Sequence, residues 1–136
     1  MRSLSPVLGL VALLGGLPAA AAEVEDFELQ TTRDLVALCS TPGGDPLAAE
    51  AQQACFGYIA GAIHFYGALV TGGDRFKPIV CPGRELTRQE LAALLVAWAE
   101  DHPEHLDDLP VDNVLRAAAA AYPCTDDDDP NRRDTP

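Results

Sequence analysis

The sequence predicts a small all-α domain, four helices arranged as two helical hairpins and stapled by two disulfides. Three observations carry this expectation. Apolar residues recur at i, i+3, i+4 and i+7, and no stretch alternates apolar and polar residues as a half-buried strand does. Clusters of proline and glycine separate the apolar segments. Four cysteines, Cys39, Cys55, Cys81 and Cys124, form an even set of the kind that exported domains use for disulfides.

The first 22 residues read as a secretory signal peptide. Arg2 supplies a short basic start, Val7 to Leu17 is apolar, and Ala20, Ala21 and Ala22 meet the small-x-small requirement of a processing site. The apolar run is shorter than the roughly 18 residues expected of a spanning helix. Removal of this segment leaves residues 23–136, one domain with a modest core and a helical body over 23–124. The expected compartment is the periplasm. A net charge of -12 makes nucleic acid and anionic membrane surfaces poor partners.

The elements follow in order. Glu23 to Gln30 is acidic and reads as an extended lead-in. Thr31 or Thr32 caps a first helix, with Asp34 in its first turn and Leu35, Val36 and Leu38 on its apolar side. The stretch Thr41-Pro42-Gly43-Gly44-Asp45-Pro46 is a turn. A second helix starts near Pro46, which a first turn tolerates. It continues into residues 54–70, where His64 is the only frankly polar side chain. A helix that is apolar all round is either buried centrally or shared with a partner; a transmembrane helix is the other option, though the segment falls just short of the usual length and contains Gly57, Gly61 and Gly67, and Gly57, Ala60 and Gly61 would let another helix come close.

Residues 71–84 form a loop. Thr87-Arg88-Gln89-Glu90 then matches a capping box, and Leu91, Leu94, Leu95 and Trp98 share one helical face. Pro103 ends this third helix near Asp101. The fourth opens among Asp107, Asp108, Pro110 and Asp112, carries Val111, Val114, Leu115, Ala118 and Tyr122 at helical spacing, and stops at Pro123. Residues 125–136, with four consecutive aspartates, read as a disordered acidic tail.

Chain geometry selects among the three possible cysteine pairings. Helices three and four are each about 22 Å long and joined by about five residues, so they pack antiparallel. Cys81 precedes the start of one and Cys124 follows the end of the other, so a bond between them closes the open end of the hairpin. The same logic pairs Cys39, late in helix one, with Cys55, early in helix two.

A search for catalytic chemistry points away from an enzyme. Beyond residue 22 the only serine is Ser40, in an expected turn, and no histidine is organised beside it. All four cysteines have partners, so none is left as a nucleophile. His102 and His105 are three apart, but Pro103 breaks the helix that would aim both at one metal ion, and the cysteine spacings contain no Cys-x-x-Cys. His64 reads as a hydrogen-bonded core or interface residue. The aspartates 126–129 lack the glycine and closing glutamate of a calcium loop. No cofactor is expected.

Several motifs, in order, resemble the Rap/Tai family of small periplasmic immunity proteins. Cys55-Phe56-Gly57-Tyr58-Ile59-Ala60-Gly61 is similar to its Cys-x-Gly-Tyr-x-x-Gly core. Val80-Cys81-Pro82 with Thr87-Arg88-Gln89-Glu90-Leu91, then His102-Pro103-Glu104, then Ala121-Tyr122-Pro123-Cys124, resemble its later motifs. The resemblance spans most of residues 27–124. His64 stands where the family often has an acid, and Tyr122 replaces phenylalanine. The resemblance implies a helical, often dimeric protein that blocks a peptidoglycan-cleaving amidase toxin delivered by type VI secretion. A homodimer is therefore a possible second partner state. The acidic turn, with Glu100, Asp101, Glu104, Asp107 and Asp108, is the candidate partner-binding element, because it is charged and held by two helices. The alternative reading is a general periplasmic helical module, such as an acid-stress chaperone or an envelope-complex subunit.

Overall fold

The computed structural model describes residues 21–73, 75–125 and 128. Residues 1–20 of the expected signal peptide, and most of the expected acidic tail, lie outside the described residues. The described chain forms four α-helices: α1 (Thr32–Ser40), α2 (Ala48–Thr71), α3 (Arg88–Asp101) and α4 (Pro110–Ala121). The disulfides are Cys39–Cys55 and Cys81–Cys124, and they close the α1–α2 and α3–α4 hairpins.

Local chemistry explains where each helix begins. The Thr31 hydroxyl accepts from the Asp34 N–H, and the Asp34 carboxylate accepts from the Thr31 N–H, which caps α1. Thr87 and Glu90 repeat the arrangement at α3. Pro110 is the first residue of α4, where its missing N–H costs nothing. The lead-in differs from the extended segment expected. Val24–Glu28 is a 3-10 helix, because the carboxylates of Glu23 and Asp26 satisfy each other's backbone N–H groups and wind the chain. It packs against α1 and places Phe27 and Leu29 on the core. Helix α2 starts at Ala48, two residues after Pro46, since Pro42 to Leu47 are used in consecutive turns.

The core lies where the four helices meet. Leu35 and Leu38 of α1, Ile59 of α2, Leu95 of α3 and Val114 of α4 are almost fully buried, with alanines between them. Each large side chain contributes about 1.5–3 kcal/mol by leaving water. The alanines, among them Ala51, Ala92 and Ala118, let the backbones approach without leaving cavities. Ala22 also packs on this cluster, at the point where the signal peptide was expected to end.

Helix α2 departs from the centrally buried alternative. Its buried residues are Ala51, Cys55, Ile59 and Ala62, and none follows Ala62. His64, expected in the core or at an interface, is exposed in this chain. Gly57 and Gly61 face outward, and a Cβ on either would meet nothing within 4 Å, so they receive no helix of this chain. The helix carries too little contrast between faces for a sequence pattern to distinguish inside from outside.

The open end of the α3–α4 hairpin is fixed by more than sulfur. The Cys81 N–H donates to the Tyr122 carbonyl at 2.9 Å, and Val80 bridges Pro123. The Tyr66 hydroxyl accepts from the N–H groups of Ile79 and Val80, which draws the loop back along α2.

Two predictions follow from this construction. Removing Cys39–Cys55 or Cys81–Cys124 by paired alanine substitution should each lower stability by about 3–4 kcal/mol, the loop-closure scale for these separations. Urea unfolding followed by circular dichroism measures the loss. The cap of α3 should also be acid-sensitive. Arg84, then the backbone and hydroxyl of Thr87, hold the Glu90 carboxyl below its ordinary 4.5, at about 2. This stabilisation is present above the unfolded value and lost as pH falls from about 4.5 through about 2. Glu90→Gln should therefore flatten that part of the stability–pH curve, read by thermal melts across the range.

Candidate functional site

The most organised polar region of the chain is the turn between α3 and α4. A short 3-10 segment, Pro103–His105, follows the break that Pro103 imposes on α3. The rings of Trp98 and His102 then stack at 4.2 Å with an interplanar angle of 9°, and His105 stacks on the other side of the turn at 5.5 Å from Trp98. His102 Nδ1 donates to the Trp98 carbonyl at 2.7 Å, which takes up one of the acceptors that a helix C-terminus leaves open.

The inner side of this turn is bonded to the start of α1. The N–H groups of Thr32 and Arg33 donate to the carbonyls of Asp108 and Leu106, each at 2.9 Å. Two donors that the helix itself cannot satisfy are thereby paired across the fold. Thr32 and Asn113 are fully buried polar residues beneath the turn. Asn113 Nδ2 donates to Thr32 Oγ1 at 2.8 Å and to the His105 carbonyl at 2.7 Å, while Thr32 Oγ1 donates to the Asp108 carbonyl. Among the described residues no buried side-chain nitrogen or oxygen lacks a partner, so this network holds the turn without leaving an unpaired polar group.

The five acidic residues singled out from the sequence separate into two groups. Asp107 pairs with Arg33 at 2.8 Å. Asp108 accepts from His105 Nδ1 at 2.7 Å and from Arg116 at 3.1 Å. The His105 bond, with Arg116 beside it, holds the Asp108 carboxyl below the usual aspartate range. These two charges are engaged within the chain. Glu100, Asp101 and Glu104 are exposed around the same turn, with Glu104 3.9 Å from His105 Nε2, and Leu109, a large apolar side chain just before α4, is 61% exposed. The outward surface therefore combines three carboxylates with one apolar contact point.

The sequence reading missed the residues that hold the turn: Thr32, Arg33, Asn113 and Arg116. Their partners are about 75–80 positions away for α1, which no local pattern encodes. Asn113 carried one usable signal. Asparagine is a weak helix former, and its place in the interior of a helix suggests a tertiary hydrogen bond.

The rings of His102 and His105 are tilted, with centroids 6.4 Å apart. Each Nδ1 is already bonded, to a carbonyl and a carboxylate, and the rings lie against Trp98. Ser40 is the last residue of α1.

A family model for Rap1a immunity proteins matches residues 31–124. No curated protein and no solved structure matches the chain.

The buried network makes an ordered prediction. Asn113→Ala removes both buried Nδ2 bonds, to Thr32 Oγ1 and to the His105 carbonyl, which keeps only the Asp108 N–H, and should cost about 1–3 kcal/mol. Arg33→Ala removes an exposed ion pair and should cost about 0–1 kcal/mol. Urea denaturation of both variants gives the comparison, and a larger loss for Arg33→Ala would contradict the role given to Asn113.

Proposed function

The chain belongs to the Rap1a immunity proteins, and from that premise we propose that it neutralises a peptidoglycan-cleaving amidase toxin in the periplasm, after that toxin arrives by type VI secretion. Family membership makes it an immunity-type protein that binds a cognate toxin. The matched residues start at Thr31, the cap of α1, and end at Cys124, the last residue of the second staple. The family unit and the stapled body thus coincide, which is the single observation that carries the reading.

The mode of action proposed is steric rather than catalytic. A toxin that cleaves the cell wall needs an open cleft for its polymer substrate. A rigid element seated over that cleft excludes the substrate without any chemistry of its own. The turn between α3 and α4 suits this task. Its exposed carboxylates Glu100, Asp101 and Glu104 complement a basic cleft rim, and Leu109 adds an apolar contact. Its inner face is held by the Asn113 and Thr32 network, so little conformational freedom remains to be lost on binding. Asp107 and Asp108 serve the turn chiefly by holding it, through Arg33, His105 and Arg116.

The first test is whether the gene beside this one encodes an amidase-like protein, which then serves as the toxin. Co-production of the exported chain should protect cells against that toxin directed to the periplasm. Alanine at Glu100, Asp101 and Glu104 together should weaken binding by about tenfold or more, with a smaller dependence on salt than the wild type shows. Calorimetry measures both. Unchanged affinity would remove the turn from the interface, and absence of protection would remove the immunity reading.

A further inference from the structure

The exposed carboxylate of Glu100 belongs to two surfaces. It stands on the turn, and it also closes one end of a groove between α3 and the corner where α1 meets α2. Phe56 and Cys39 form one wall, and Ala92, Ala93, Val96 and Ala97 of α3 form the floor. From Gln89 to Glu100 the groove follows α3 for roughly 16 Å, about three turns of helix. The Cys39–Cys55 bond ties α1 to α2 at this wall, so the groove is part of the stapled body.

Helix α3 is apolar beyond what its own core requires. Leu91, Ala92, Leu95 and Ala99 are buried, yet the whole run from Leu91 to Ala99 lacks a charged residue. Ala93 and Ala97 are exposed within that run. The other short helices differ, since α1 presents Arg33 to solvent and α4 presents Asp112 and Arg116. A helix apolar on every side is either buried or shared with a partner, and α3 is not buried on the side of Ala93 and Ala97.

Charge at the two ends of the groove selects the occupant. Arg33, Arg84 and Arg116 each pair with a carboxylate of this chain. Arg88 has no carboxylate partner among the described residues, and its guanidinium lies over the Phe56 wall, 6.0 Å from the ring centroid. Glu100, at the opposite end, is likewise without an ion pair among the described residues. A cation at one end and an anion at the other complement an α-helix, whose N-terminus is partly positive and whose C-terminus is partly negative. An extended peptide would need unpaired backbone groups beside it, and the interior of a helix satisfies its own. We propose that the groove receives an amphipathic helix of the toxin, laid antiparallel to α3, with its apolar face on Ala93, Val96 and Ala97, its N-terminus at Glu100 and its C-terminus at Arg88. The inference rests on the toxin-binding reading and deepens it: the turn covers the cleft, and the groove, continuous with the turn through Glu100, grips a helix beside that cleft.

Calorimetry tests it, with the toxin identified by the neighbouring gene as the probe. Ala93→Asp and Ala97→Trp should each weaken binding by about tenfold or more, and Arg88→Glu by about threefold. Helical circular dichroism of the free variants should be unchanged, because all three positions are exposed. A photo-reactive benzoylphenylalanine in place of Ala93 should cross-link to one toxin segment whose apolar residues recur three and four apart. Wild-type affinity in both alanine variants, with protection retained, overturns the groove and leaves the toxin reading standing. So does a cross-link that joins only two copies of this chain, or one to a toxin segment without that spacing. A neighbouring gene that encodes no such toxin, or a toxin that the wild type does not bind, overturns both.

Discussion

Two sulfur–sulfur bonds set the conditions under which the rest of this chain is ordered. A helix of nine residues such as α1 is too short to persist alone in water. Its stability comes from Leu35 and Leu38 packed in the core, and Cys39–Cys55 keeps that helix against α2. The second bond acts at the other hairpin. With Cys81 tied to Cys124, α3 and α4 are fixed at their open end, and the turn at their closed end is held at a defined place. A domain with many alanines and few large residues in its core has limited hydrophobic stabilisation. Crosslinks that restrict the unfolded chain compensate for this.

The turn at the closed end shows how such a frame yields a usable surface. Its backbone carbonyls satisfy the free N–H groups at the start of α1, and a buried asparagine satisfies what remains. The carboxylates nearest the network are paired with Arg33, Arg116 and His105. Those farther out are exposed to solvent.

Much of this architecture was legible in the sequence. The capping box at Thr87–Glu90 gave the start of α3, and a cap at Thr31 or Thr32 with Asp34 in the first turn gave that of α1, because capping is local chemistry among residues a few positions apart. The cysteine pairing followed from helix length and the short connection, and both bonds are present. What was not legible had two origins: a local cap built from residues that read as a linker, and contacts distant in sequence. The lead-in winds into a 3-10 helix because Glu23 and Asp26 cap one another, which resembled an acidic linker. The outward orientation of Gly57, Gly61 and His64 could not be read from a helix apolar on all sides. The ties from Arg33 and Thr32 to the turn join the two hairpins, and only the folded chain brings them together.

The central claim is that oxidised cysteines lock both hairpins, and through them the turn between α3 and α4. Peptide mapping by mass spectrometry, on the native protein digested without reduction, tests it most directly. The account predicts two linked peptide pairs, one joining Cys39 to Cys55 and one joining Cys81 to Cys124. Free thiols at these positions, or any other pairing, would contradict it.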